Sequence, residues 1–493
     1  MSGDERAGVP TIDGAAGTGS GRRNRVVAVT IAVLVAGGLV ADGQSPGPRR
    51  PEFDVAAFAM PEANGATALS SVWFCPAGIV KAAGGEHGEV IIANPTEREV
   101  TAIVTVRRAD GQQRSTEVDV PALGQARQDI ATVLGGQAES VRVDADGGGV
   151  VVEHRLVGIG GSTSGPCSPR ASSTWYFASG VTQRGAREFV MLYNPFPAPA
   201  IVDFAFVTDE GAAEPPALVG FVVEGRSARL VDIGGNVRRQ VHVATSIVAR
   251  TGQVVAERVQ TFDGTRHQEG IAVTLGAPSA GLDWTFPDGQ VGPGTTELLS
   301  LYNPGEEEAS VDVEVHLEEG EAEPFQLTVP PGGFQTIDVG ADGRVAPGVA
   351  HALVVRSLNS VPVVAERRII AGDGAVRRGV SYVNGARRAA RRWVAVDGRA
   401  NEAVDEWLVV FNPTGEPVTL SVGALVGGQL LPVSDLQSIA VEPLSRRAIR
   451  VGDHIERDAL TLLVDAASPV VVERSLYAAS GVGMSAAIAI PLP

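Results

Sequence analysis

Four glutamates look most able to do chemistry: Glu153, Glu257, Glu366 and Glu473, each followed at once by a base, His154, Arg258, Arg367 and Arg474. Two carboxylates flanking one bond are glycosidase equipment, but that reaction needs both acids in one cleft, about 5–10 Å apart. Here a single acid recurs at intervals of 104, 109 and 107 residues, one per repeated block. The spacing predicts four acids tens of ångströms apart. That favours a structural role: the glutamate pairs with a strand neighbour, or the arginine caps a turn. No catalytic residue is assigned.

Other chemistry is absent from the pattern. The seven histidines, His87, His154, His242, His267, His316, His351 and His454, include no His-Glu-x-x-His pair, so a zincin is not supported. There is no Gly-x-Ser-x-Gly elbow and no phosphate loop. Asp144-Ala145-Asp146-Gly147 resembles the start of a calcium loop but lacks the glutamate that closes one. No metal or cofactor is expected.

Cys75 and Cys167 are the only cysteines. In an exported chain such a pair reads as one disulfide; without a Cys-x-x-Cys spacing, a metal-binding or reactive thiol pair is the lesser alternative. Closing that loop is worth about 4–5 kcal/mol in the chain-entropy model.

The elements that must position these residues come from a repeat. Each block opens on a tryptophan (Trp73, Trp175, Trp284, Trp393), then reaches an apolar run ending in Asn-Pro (Asn94, Asn194, Asn303, Asn412). The Asn follows the Trp by 21 residues in the first block and 19 in the others, and the glutamate follows the Asn by 59, 63, 63 and 61. Three landmarks in constant order, four times over, mean four copies of one unit. Within a unit the pattern is that of strands: Val311, Val313, Val315 and Leu317 alternate with polar residues, giving one buried and one wet face. Proline ends the Asn-Pro strand and Asn bonds backbone two residues on to make the turn. Asp-Gly pairs at Asp110, Asp263, Asp288, Asp342, Asp373 and Asp397 read as hairpin turns. Aligning the units sets Cys75 opposite Phe177, Phe286 and Ala395, and Cys167 opposite Ala272, Ser381 and Ser485, so first and last strands lie side by side.

The fold class is therefore all-β, four tandem immunoglobulin- or fibronectin-like sandwiches, with a β-propeller as the alternative. The predicted domains are 72–170, 171–280, 281–390 and 391–493, with strands long enough for an extended rod. Upstream, 1–25 reads as a disordered cytoplasmic tail and 42–71, rich in Pro, Gly, Ala and Ser, as a flexible tether. The uncharged run 26–41 behind Arg22, Arg23 and Arg25 reads as a transmembrane anchor, or as a cleaved signal segment. Either one exports the chain beyond residue 41. A net charge of −17 with a single lysine, Lys81, argues against nucleic acid.

The Trp-Phe-Cys-Pro-Ala-Gly opening (Trp73–Gly78), the Asn-Pro strands and the anchor resemble the actinobacterial membrane-anchored envelope proteins grouped as a domain of unknown function. That resemblance implies an N-terminal membrane segment and an extracytoplasmic β-rich region, and it brings no catalytic residues. The expected role is a non-enzymatic scaffold or adhesion protein of the cell envelope, single-pass in the cell membrane, its partner an envelope protein or glycan. The alternative is a wall-carbohydrate-binding or glycoside-cleaving module.

Overall fold

The computed structural model describes residues 59–493 apart from 136–139, 159 and 319–321. The expected tail, the 26–41 anchor and most of the tether lie outside the described residues. Among the described residues no helix is long and apolar enough to cross a membrane.

The chain is all-β and antiparallel. In the first unit one sheet has the order Ser71–Cys75, Ser140–Ala145, Val100–Arg107, Gln113–Val120. The other runs Gly124–Asp129, Gly85–Asn94, Val151–Gly158, Gly161–Pro166. Valines of both sheets, Val104 and Val143 from one and Val90 and Val152 from the other, share one core, as a sandwich requires. The plan recurs in each unit. In the fourth, one strand of 22 residues, Arg457–Ala478, runs through both sheets, where earlier units break it in two.

The landmarks sit where their chemistry directs. All four repeat tryptophans are at most 1% exposed, and the indole N–H of Trp175, Trp284 and Trp393 donates to the carbonyls of Val254, Val363 and Val470. Each Asn is buried and makes the same set of bonds. Asn303 accepts from Gly305 N at 2.9 Å and donates to the carbonyls of Glu307 (2.7 Å) and Val329 (3.1 Å). Asn94, Asn194 and Asn412 do likewise. One side chain thus makes the turn and ties it to a strand of the facing sheet.

The units do not extend as a rod. Their last inner-sheet strands, Gly161–Pro166, Glu269–Leu275, Gly379–Asn384 and Met484–Ile488, pack in sequence around one axis, and the fourth returns to the first. These contacts are side by side; among the described residues there is no sheet hydrogen bonding between units and no closed barrel. Glycine makes the approach possible: a Cβ on Gly270 would lie 2.9 Å from Val380 N, and one on Gly379 would lie 2.8 Å from Met484 N. A head-to-tail contact whose rotation closes makes a ring, and one that does not makes a filament. Here it closes after four.

Three local expectations are corrected. Asp288-Gly289 and Asp397-Gly398 are not turns: they lie inside strands Asp283–Gly289 and Ala390–Ala400, with both aspartates buried among arginines. The tether does not run free to Ser71: Ala59 and Ala63 are buried, Ala63 N donates to Pro491 O, and Glu62 pairs with Arg388. The residue matching Cys167 is also different. Backbone bridges Phe74↔Ser168, Tyr176↔Ala277 and Thr285↔Ala386, with the pair Val394↔Ile490, align Cys167 with Gly276, Gly385 and Ala489.

Candidate functional site

Adjacent residues leave a strand on opposite faces, so an acid-base dipeptide on one strand points its two charges opposite ways. In a closed ring each unit then offers a base forward and an acid backward. Arg258 of the second unit meets Glu366 of the third, with Nη1 3.2 Å from Oε2 and a second, shorter contact through Nη2. Arg367 meets Glu473 in the same two-pronged way, Nη1 3.3 Å from Oε2. Arg474 closes the circle on Glu153 at 2.8 Å. The remaining junction joins His154 to Glu257, Nε2 to Oε1, at 3.1 Å. All eight side chains are at most 1% exposed.

The four glutamates are therefore not isolated on separate domains. Each lies against the preceding unit, and in three cases that unit's backbone helps hold it: Ala77 N donates to Glu257, Ser179 N to Glu366 and Asp288 N to Glu473. These donors are the residues four after Trp73, Trp175 and Trp284. The alternative that the arginine caps the Asn-Pro turn is not what occurs.

Two of the three Arg junctions share a packing arrangement that the His junction lacks. Arg258 lies over Phe177, 5.2 Å from its centroid, and over Tyr382 at 4.4 Å; Arg367 lies over Phe286. Those phenylalanines face glycines, and a Cβ on Gly276 would lie 3.0 Å from the Phe177 ring tip. In the first unit this large-small pair is the disulfide Cys75–Cys167, Cα–Cα 4.7 Å, fully buried.

Burial shapes the electrostatics. It pushes Glu257 up to about 8, with only the Ala77 N–H pulling back, and drives His154 down to about 4. Both are then uncharged near neutral pH. Glu153 and Glu473 are raised by burial to about 7 against the pull of Arg474 and Arg367. Burial also acts on Asp397, but Arg399, Arg155, Arg127 and Arg474 outweigh it and hold that carboxyl below its ordinary range.

Sequence reasoning missed a second set of buried acids. Glu188, Glu297 and Glu406, each the third residue of its Asn-Pro strand, are fully buried beside the ring. Burial raises Glu188 to about 8 and Glu406 to about 7, and Glu297 lies 2.9 Å from buried His351. Their signal was present: each is the acid that begins an apolar run, a costly place for a charge. The calcium-like stretch is occupied internally, Asp144 by Arg142 and Asp146 by Thr101 N.

A cleft of about 530 Å³ lies between the third and fourth units, lined by Gln290, Glu318, Arg377, Trp407, Arg446 and Tyr477 among others. Arg377 sits 3.9 Å from the Tyr477 ring centroid and 4.9 Å from that of Trp407, anchored by Asp405 at 3.1 Å.

No curated protein matches the chain. Among solved structures, Thermotoga maritima 1070 is 19% identical over 22% of this chain and 94% of its own, with a TM-score of 0.20. Streptomyces avermitilis alpha-L-rhamnosidase is 10% identical over 81% of this chain and 55% of its own, TM-score 0.13. A tetra-tandem repeat from the extending region of a large adhesion protein is 11% identical over 86% of this chain and all of its own, TM-score 0.10. At such scores none of them bears on fold or function. A family model does match, over residues 154–429 and again over 272–484, overlapping as a repeat would produce, and the chain belongs to that family, the family of unknown function DUF5719.

Proposed function

We propose that this chain is a non-enzymatic, membrane-anchored extracytoplasmic scaffold or interaction protein of the cell envelope, presenting four sandwiches as one closed ring. The observation that carries this reading is the use made of the repeated acid-base dipeptides. Each is consumed in joining one unit to the next at no more than 1% exposure. Catalytic acids must reach a substrate, and these reach only a neighbouring unit. What recurs serves assembly, and the outer sheets and loops remain for a partner, an envelope protein or glycan. Export rests on the 26–41 segment with its preceding arginines.

Crosslinking in intact cells, followed by fractionation and protease shaving, tests this. The expected result is a membrane-fraction chain, cut from outside and crosslinked to a wall protein or glycan. Recovery of the folded chain in the cytoplasm, protected from protease, overturns it.

A second reading has one observation in its favour. The cleft between units three and four sets the partly exposed Trp407 beside Gln290 and Glu318, an aromatic surface next to polar groups, as a saccharide needs. Trp407→Ala abolishing retention on purified wall glycan favours it; unchanged retention, or none by the native chain, removes it.

A further inference from the structure

The first unit departs from the fourfold pattern at three places that meet at one point. Where the others carry Phe177, Phe286 and Ala395, it has Cys75. Where they carry Gly276, Gly385 and Ala489, it has Cys167. Where they carry Arg258, Arg367 and Arg474, it has His154. The two sulfurs and an imidazole nitrogen all lie within 4.8 Å of one another. All three residues are at most 1% exposed.

A disulfide explains the cysteines and leaves the histidine unexplained. Neither ring nitrogen of His154 makes a hydrogen bond, and neither does Glu257 Oε1, although Nε2 and Oε1 are 3.1 Å apart. Their approach is out of line for one. A buried imidazole with no hydrogen bond at either nitrogen thus lies against two sulfurs, with one unbonded carboxylate oxygen of Glu257 on its other side. Such orphans call for a physical reason, an ion among them.

We propose that the dithiol form of this chain binds one zinc-class divalent ion through Cys75, Cys167 and His154, with Glu257 of the second unit completing a tetrahedron. Sulfur, imidazole and carboxylate are the ligand types of such a site, at about 2.0–2.3 Å from the ion. Ligand atoms then stand about 3.5 Å apart, a contraction side-chain rotation supplies for His154 and Glu257, while the sulfurs separate once their bond is broken. Disulfide and metal are alternative fasteners of one place, since each needs both sulfurs. In the exchange a dithiol reductant gives two electrons to the Cys75–Cys167 bond and becomes a disulfide itself. The S–S bond breaks, both thiolates and the Glu257 carboxylate bind the ion, and the reductant's two protons together with the proton of the Glu257 carboxyl leave to solvent. Oxidation of the thiolates by a disulfide reverses this and releases the ion. The fourth ligand comes from the next unit, so the ion fastens the first unit to the second, as Arg258 and Glu366 fasten the second to the third.

Cobalt(II) is the probe. The full chain is refolded under a phosphine reductant with Co²⁺, free thiols are counted, and the spectrum is read for thiolate-to-cobalt charge transfer and intense tetrahedral d–d bands. The expected result is one ion per reduced chain, displaced by Zn²⁺, and none in the disulfide form. His154→Arg installs the residue that the other units use, so it retains a folded ring while weakening binding about 100-fold or more. Cys75→Ser removes the charge-transfer band. A reduced native chain without that band, whether it refolds or not, overturns the proposal. So does a His154→Arg chain that binds as tightly as the native one.

Discussion

The first-to-second and second-to-third junctions occupy the same place in the fourfold pattern and are held by different means. At the second, a guanidinium that cannot shed its proton grips Glu366 with two nitrogens and lies between two aromatic rings. At the first, His154 and Glu257 meet as an uncharged pair without a hydrogen bond, beside a disulfide. A buried ion pair gains little over an apolar contact, yet losing one partner is costly because a bare charge remains. The Arg junctions are therefore brittle to mutation, whereas the His junction leaves no bare charge when one partner is lost, and the disulfide beside it braces the first unit internally.

That contrast is open to direct attack. The largest effect expected is from Cys75→Ser with Cys167→Ser in metal-free buffer, which frees a 92-residue loop at a cost of about 4–5 kcal/mol, read by denaturant unfolding. Replacing the pair instead by Phe and Gly, as at Phe177 and Gly276, recovers part of that loss if packing and disulfide are interchangeable solutions. No recovery would show that the first unit has diverged beyond them.

Next comes the base. Arg258→Ala leaves Glu366 buried and alone and costs about 3–5 kcal/mol, whereas His154→Ala removes an uncharged group and costs about 1–3 kcal/mol. Equal losses in thermal unfolding would erase the distinction. The acids keep the same order. Glu366→Gln strands the permanently charged Arg258, and Glu257→Gln faces an imidazole that is already neutral, so the first loses more stability than the second.

The smallest change per step is a pH slope at the Arg junction, at most about 1.4 kcal/mol per pH unit. Glu188 lies beside Arg258 and Glu366, and burial raises it to about 8 from an ordinary 4.5. A raised carboxyl contributes stability that is complete below the unfolded value and is lost as pH rises through the folded one. Between about pH 4.5 and 8 the native chain therefore loses stability relative to Glu188→Gln. Parallel curves for the two would remove Glu188 from the account.

Much of the unit was legible because its signals are local. Val311, Val313 and Val315 alternate with polar neighbours, and the resulting strand has the predicted buried and wet faces. Asn303 sits next to its proline and makes the turn with groups two and four residues away. The misreadings share a non-local cause. Asp288 and Asp397 carry a turn's dipeptide, but Arg446 and Arg127, 158 and 270 residues distant, hold them inside strands. Glu188, Glu297 and Glu406 escape notice because an acid at the head of a strand reads as an exposed end until something covers it.

Strand period, turn and repeat come from the order of residues, since each depends on neighbours a few positions apart. The ring does not. An acid and a base side by side on a strand suit an open rod as well as a closed circle, because each looks only toward an adjacent unit. Closure is decided by the angle between units, which the glycines near Val380 and Met484 permit. Arg474 finds Glu153, 321 residues earlier in the chain, only once that angle brings the fourth unit back to the first.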